Sequence, residues 1–492
     1  MYIAMISSEC APVAKVGGLG DVVHGLAREL LLRNNAVEVI LPMYDCMRYE
    51  KIEGLDRCYS NLWVPYYDHW IRCDIFNGSV DHIPCIFIKP LSRENFFDRR
   101  EYYGQKDDDA RFAFFSRAAL EFMYKSGRQP DVIHCHDWQS GLVPVLLYEI
   151  YEQIGLNQPR VCFTLHNVRH QGVTGPHILQ QSGLGQHLIS ADKMQDNVHR
   201  GAVNLMKGGI VYSNFVTTVS PRYAEEIKHT ELGRGLQSTL HDHAHKFGGV
   251  LNGIDYGAWN PETDTHIPHQ YSPKMMEGKF ANQKALRERL LLQDEFKPIV
   301  AVVSRLDPQK GVHLISHAIF YALANRAQFV LLGSGSDNAI NGHFQGLKEQ
   351  LNDNPDCHLE IGYDEELSHL IYAGADMLVI PSAFEPCGLT QLIAMKYGTV
   401  PVVRATGGLA DTVFDANHAS QSYEQRTGYT FESFDNEALE YALGRGIGLW
   451  YEYPKYFHQL RLNGMHTDYS WGQSGDHYIN IYNHICENND VL

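Results

Sequence analysis

The chain has 492 residues, 44% hydrophobic and 20% charged, with 41 basic against 58 acidic side chains and a net charge of −17. That length calls for two domains. So acidic a surface excludes a general nucleic-acid binder or a partner of anionic membranes, while leaving room for a local basic pocket. Ten cysteines follow no regular framework, which implies a reduced, intracellular chain. The opening run Met1–Ile6 is too short for a signal h-region, and no apolar stretch reaches the ~20 residues of a membrane span. The expected location is the cytoplasm, or the plastid stroma for a plant lineage.

In chain order, short apolar runs alternate with helical periodicity, the pattern of βαβ units and parallel sheets. The first half predicts strands at Tyr2–Ile6, Val37–Leu41, Ile83–Ile88, Val132–Cys135, Val161–Leu165, Phe215–Val219 and Gly249–Leu251. Helices are predicted over Gly18–Leu32, where Leu19, Val22, Val23, Leu26 and Leu30 repeat near 3.6, and over Arg111–Tyr124. A stretch rich in Gly, Asn and Asp, Asn252–Asp264, punctuates the chain; Thr265–Gly278 after it is poor in apolar residues and reads as connector. The pattern then restarts. Strands are expected at Pro298–Val303, Gln328–Leu332, His358–Ile361, Met377–Ile380 and Val400–Val403, and helices at Val312–Leu323, Glu365–Ala373, Leu389–Tyr397 and Glu437–Leu449. The restart predicts a second doubly wound domain.

Polar motifs gather where strands end, the place where open α/β sheets bind ligands. Lys15-Val16-Gly17-Gly18-Leu19-Gly20-Asp21 follows the first strand and opens the first helix. Its glycines admit close backbone approach, the helix N-terminus favours an anion, and Lys15 adds a full charge. The spacing is neither G-x-G-x-x-G nor a P-loop, and the glycines by themselves equally suit an ordinary tight turn. Ser304-Arg305-Leu306-Asp307-Pro308-Gln309-Lys310-Gly311 occupies the matching place in the second half, where Arg305 and Lys310 would clamp a diphosphate. A solvated basic pair is the alternative. Pro381 to Gln391 offers Glu385 and the backbone N–H groups of Gly388, Leu389 and Thr390 before a helix; Glu385 bonds sugar hydroxyls, stabilises a positive sugar carbon, or is a first-turn helix charge. His134-Cys135-His136-Asp137-Trp138 and Leu165-His166-Asn167 end two first-half strands. Alternation puts His134 and His136 on one face and Cys135 on the other, too few converging ligands for a metal site.

Together these residues resemble the bacterial glycogen synthase and plant starch synthase family. The matching motifs are Lys-Val-Gly-Gly-Leu-Gly-Asp (15–21), His-Cys-His-Asp-Trp (134–138), His-Asn (166–167), Asn-Gly-Ile-Asp (252–255), Ser-Arg-Leu…Gln-Lys-Gly (304–311), Glu-Pro-Cys-Gly-Leu-Thr-Gln (385–391) and Thr-Gly-Gly-Leu-Ala-Asp (406–411). They cover essentially the whole chain in the family's order. Val16 and the stretch 41–47 look closer to class III/IV starch synthases and their cyanobacterial relatives.

The resemblance implies an α/β fold of GT-B type, two Rossmann-like domains facing across a deep cleft. Residues 1–256 would form the acceptor-side domain and 257–456 the nucleotide-sugar domain, with helices at 457–492 crossing back. It implies retaining transfer of glucose from ADP-glucose to the non-reducing end of an α-1,4-glucan or maltooligosaccharide, releasing ADP, with no cofactor and no metal. Arg305 and Lys310 resemble the pair on the departing diphosphate, approached by Lys15, Gly17 and Gly18. His166 resembles the histidine beside the transferred glucose, with Asn167 next to it. Asp137 and Asp21 match polar positions near sugar or acceptor, and Glu385 the carboxylate near the sugar hydroxyls. Tyr363 resembles the residue near the adenine. Asn252 and the run Cys387, Gly388, Leu389, Thr390 complete the implied donor site.

Two departures stand out. Val168-Arg169-His170-Gln171-Gly172 lacks the aromatic many relatives carry before Gln-Gly. Ile393 replaces the second glutamate of other retaining transferases, so their ribose contact is not expected. The expected mechanism aims positive charge at the leaving diphosphate, with same-face attack in which the phosphate helps deprotonate the acceptor. The rivals are a glucan phosphorylase, a catalytically dead glucan-binding protein and a nicotinamide dehydrogenase. The first needs a pyridoxal phosphate lysine and a longer chain, the second conflicts with the intact motifs, and the third with the glycine spacing.

Overall fold

In the computed structural model, which describes residues 1–351 and 353–487, the apolar runs become strands of two separate sheets. The first half supplies β1 (Tyr2–Ile6), β2 (Ala36–Pro42), β3 (Glu53–Tyr66), β4 (His69–Val80), β5 (Ile83–Leu91), β6 (Val132–His136), β7 (Arg160–Leu165), the two-residue pair β8 (Val173–Thr174) and β9 (Val203–Asn204), β10 (Phe215–Thr218) and β11 (Phe247–Gly249). The second supplies β12 (Ile299–Val303), β13 (Gln328–Gly333), β14 (Cys357–Ile361), β15 (Met377–Ile380), β16 (Val400–Arg404) and β17 (Tyr429–Phe431). The chain divides into one unit of Met1–Gly253 with the C-terminal segment from Trp471, and another of Ile254–Ser470.

The first unit's sheet has nine strands in the order β11-β10-β7-β6-β1-β2-β5-β4-β3. Its centre is parallel and buried on both faces, which is why β1 reads as an unbroken apolar run, while β6 buries His134 and His136 beside its apolar residues. Strand order reverses between β1 and β6. The sheet's end was not expected from the sequence: β3 and β4 form a long antiparallel hairpin against β5. Most of β3 is solvent-exposed and its pairing is interrupted by register shifts, so it carries no sustained apolar alternation. The strand expected at Gly249–Leu251 lies two residues earlier, at Phe247–Gly249.

The second unit's sheet runs β14-β13-β12-β15-β16-β17, all parallel. Numbered within the unit this is 3-2-1-4-5-6, the Rossmann order, with its switch point between β12 and β15. The pleat divides the core. Ile299, Ala301, Val330, Leu332 and Leu378 face one buried cluster, and Val300, Val302, Phe329, Leu331 and Met377 face the other.

The C-terminal return starts later than the expected Phe457. Helix Pro454–His466 packs within the second unit, burying Phe457 and Leu460 in one cluster and Met465 in the other, while Arg461 pairs with Asp376. Among the described residues of this segment, helix Trp471–Glu487 is the part that joins the first unit. There the Trp471 indole lies against Gly25 of helix Gly18–Leu32, where any side chain would collide with it. Residues 488–492, part of the expected return, lie outside the described residues. No helix among the described residues is long and apolar enough to cross a membrane.

Candidate active site

Each unit builds a polar cluster at its own switch point. In the first, β1 ends at Ile6 and the chain passes through Ser7, Ser8 and Glu9 before the glycine turn. Glu9 is buried. Its Oε2 accepts the N–H groups of Val16 (2.7 Å) and Gly17 (3.1 Å), and its Oε1 accepts the Tyr103 hydroxyl (2.7 Å). Burial raises the Glu9 carboxyl above its usual range, with these donors pulling the other way. The loop is thus pinned from beneath by a carboxylate that the motif reading missed, although its place just past a strand end was the available signal. Gly20 is closely packed, since a Cβ there would sit 3.2 Å from Ala11 N and 3.4 Å from Ala14 O. Gly17 and Gly18 bring the exposed backbone to the start of helix Gly18–Leu32, which no side chain caps. Lys15 Nζ lies 2.8 Å from Asp21 Oδ1, both partly exposed.

Across the switch point, β6 delivers Asp137 and β7 delivers His166 and Asn167. Asp137 adopts φ 56°, in the left-handed region where non-glycine residues are uncommon. Its Oδ1 accepts the His166 N–H (2.7 Å) and the Asn167 N–H (3.4 Å). Burial lifts its carboxyl to about 7; the two N–H groups oppose that shift and the nearby Glu9 carboxylate reinforces it. The His166 ring meets His136, with Nε2 3.0 Å from Nδ1 of the latter. Burial lowers His166 and His134 to about 3, and pushes His136 well below the usual imidazole range. All three are neutral imidazoles at pH 7. No group of three or more metal-holding side chains converges among the described residues. Asn252 follows β11, buried, and its Oδ1 has no hydrogen-bond partner among the described residues. Arg169 and His170 are exposed.

In the second unit the loops after β12 and β15 lock together. Ala383 N–H donates to Gln309 O (2.8 Å), and the Gln309 amide donates to Phe384 O (3.2 Å). Gly311, at φ 71°, packs so close to the Pro381 carbonyl that a Cβ would run into it. Lys310 Nζ lies 2.6 Å from Glu385 Oε2, which also accepts the Ser382 hydroxyl at 2.9 Å; both charged side chains are largely enclosed. Glu385 therefore belongs to a buried ion pair. The first-turn alternative fails because the helix begins only at Thr390. Gly407 and Gly408 carry the third loop onto this one: Gly408 N–H donates to Glu385 O at 3.1 Å, and a side chain at either glycine would strike the Glu385 or Cys387 carbonyl. Arg404, unremarked in the sequence, ties the Ala383 carbonyl at 2.7 Å.

Arg305 is exposed beside this cluster, and its guanidinium makes no hydrogen bond or ion pair among the described residues. Gly388 is left-handed at φ 74°, and the Gln391 amide ties the Cys387 and Gly388 carbonyls. Leu389 and Thr390 stand half-buried at the helix start. Tyr363 stands just past the edge strand β14 and is 81% exposed.

Paired α/β units with charged strand-end loops at both switch points are the make-up of the GT-B class of glycosyltransferases, and the chain's matches place it there. Residues 2–242 match the starch synthase catalytic domain, and residues 283–449 match glycosyl transferases group 1. Over 99% of its length the chain is 62% identical to "Glycogen synthase 1" of Nitrosococcus oceani, covering 100% of that protein, and 57% identical to "Probable glycogen synthase 2" of Nostoc sp., covering 99%. Among solved structures, the catalytic domain of Starch Synthase IV from Arabidopsis thaliana bound to ADP and acarbose superimposes with a TM-score of 0.96 at 43% identity, with 99% of each chain covered. The chain belongs to the glycogen and starch synthase family, and it is an enzyme, a glucosyltransferase of glucan synthesis.

Proposed function

We propose that the enzyme moves glucose from ADP-glucose to the non-reducing end of an α-1,4-glucan, retaining the α configuration and releasing ADP, without a metal or cofactor. The observation that carries this is the uncommitted Arg305 guanidinium next to Lys310 at the Rossmann switch point. A fork of N–H donors and an ammonium there suit a diphosphate. The starch synthase relative carries ADP and a carbohydrate, acarbose, which agrees with this reading.

In this proposal Arg305 and Lys310 stabilise the leaving diphosphate. Lys15 and the backbone of Gly17 and Gly18 add positive potential, with Asp21 orienting Lys15. Tyr363 presents an exposed ring to the adenine. Cys387, Gly388, Leu389 and Thr390 line the donor with backbone groups, and Asn252 offers its Oδ1, which no group among the described residues engages. Glu385 holds sugar hydroxyls while setting the Lys310 ammonium. His166 and Asn167 face the glucose.

Asp137 is committed to the backbone N–H groups of His166 and Asn167. That favours same-face attack, with the departing phosphate taking the acceptor proton, over a carboxylate nucleophile. The ten cysteines are all free thiols, which suits a reducing compartment such as the cytoplasm.

The test is donor competition between ADP-glucose and UDP-glucose on maltooligosaccharides of graded length, with and without chelator. ADP-glucose turnover that survives chelation is expected. No turnover with ADP-, UDP- or GDP-glucose defeats the proposal, and a trapped glucosyl–enzyme adduct defeats the same-face step.

A further inference from the structure

What His166 offers a sugar hydroxyl depends on which ring nitrogen carries its proton. Its Nε2 lies 3.0 Å from Nδ1 of His136, so one atom donates and the other accepts. The second nitrogen of His136, Nε2, is enclosed and has no hydrogen-bond partner among the described residues. A buried N–H without an acceptor is the rarer and costlier orphan. The His136 proton therefore sits on Nδ1 and is donated to His166 Nε2. With a lone pair on Nε2, neutral His166 must carry its own proton on Nδ1. That atom meets no protein acceptor among the described residues, and it is not one of the enclosed orphans.

We infer that His136 is a positioning residue that fixes His166 as the Nδ1–H tautomer, so that His166 presents a donor to the glucose; this rests on the placement of His166 beside the sugar. Burial keeps both rings neutral, which the assignment requires.

A second tier holds His136 in turn. His134 lies on the same face of β6, with its ring 4.2 Å from that of His136 at 36°. Both its nitrogens are engaged, Nδ1 with the Tyr482 hydroxyl (2.8 Å) and Nε2 with Thr164 Oγ1 (2.7 Å). The His136 backbone N–H donates to Ser140 Oγ at 2.7 Å. Tyr482 belongs to helix Trp471–Glu487. The return of the chain to the first unit thus supplies the support behind the His136–His166 pair.

The experiment is ¹⁵N NMR of the full chain labelled on histidine, with the His166 ring assigned by difference against His166→Gln. A protonated Nδ1 and bare Nε2 on His166 between pH 6 and 8 are expected; a protonated Nε2 overturns the inference without any further variant. His136→Leu should release His166 to the Nε2–H form and lower kcat about tenfold or more, with donor KM changed less than about threefold. His136→Asn, whose amide N–H can replace Nδ1–H, should keep kcat within about threefold of the parent. Equal losses in the two variants, with His166 still Nδ1–H in His136→Leu, overturn the positioning role. If His166→Gln turns over normally while the parent shows the Nδ1–H form, the placement of His166 at the sugar fails and the tautomer assignment stands.

Discussion

Arg305→Ala separates catalysis from folding more cleanly than any other change at this site. The side chain is exposed and makes no polar contact among the described residues, so its loss should alter unfolding free energy by no more than about 0.5 kcal/mol. If it stabilises the leaving diphosphate, removing one preorganised donor costs about 3 kcal/mol of barrier, or roughly 10²-fold in turnover. Lys310→Ala gives the contrast. It strips the partner from Glu385, whose Oε2 keeps only the Ser382 hydroxyl. A fully buried pair broken in this way loses about 3–5 kcal/mol; the residual exposure of Lys310 and the surviving hydroxyl reduce that to about 1–3 kcal/mol. The assay is glucose incorporation from labelled ADP-glucose into glycogen, alongside urea unfolding of parent and variants. The expected result is two variants of similarly low activity but distinct stability. Arg305→Ala within about threefold of parental turnover would refute the assignment, as would activity losses that follow stability losses in both.

Other outcomes follow from single contacts. Asp137 is raised to about 7 by burial, so its contribution to stability is fully present below the unfolded value near 4 and is lost as pH rises through 7. Asp137→Asn keeps an oxygen acceptor for the two N–H groups without a charge, and should gain more than about 1 kcal/mol on the parent between pH 5 and 8; parallel melting curves would contradict this. Asp415 runs the other way. Burial alone would raise it, but the Arg445 guanidinium and the N–H groups of Thr430 and Asn417 outweigh that and hold it at about 2. That stability is present above about pH 4 and lost as pH falls towards 2, so Asp415→Asn should cost about 1–2 kcal/mol at pH 7, after allowance for screening, and progressively less on acidification. Gly311→Ala forces a Cβ into the Pro381 carbonyl at positive φ. It should lower stability by about 2 kcal/mol or more and displace Lys310, which urea unfolding and ADP titration would register together.

Legibility from sequence stopped at the range of local rules. Periodicity placed the helix Gly18–Leu32 and the parallel strands, because a strand buried on both faces writes an unbroken apolar run. It missed the β3–β4 hairpin, whose exposed residues and shifted register leave no such run. The motifs at 15–21, 304–311 and 385–391 were visible because glycines and charges just past strand ends are unusual there.

What the sequence by itself determined was the strand-end position of Lys15, Asp137, His166, Arg305, Lys310 and Glu385, since each lies in the segment that follows a strand. The tertiary structure alone decided which of them meet: Glu385 with Lys310 across 75 residues, Asp137 with the His166 N–H across 29, and Tyr482 with His134 across 348. Alternation assigns a residue to a face, but strand order and register choose its neighbour. The charge state of Asp137 and the bare nitrogen of His136 follow from that neighbourhood and from burial.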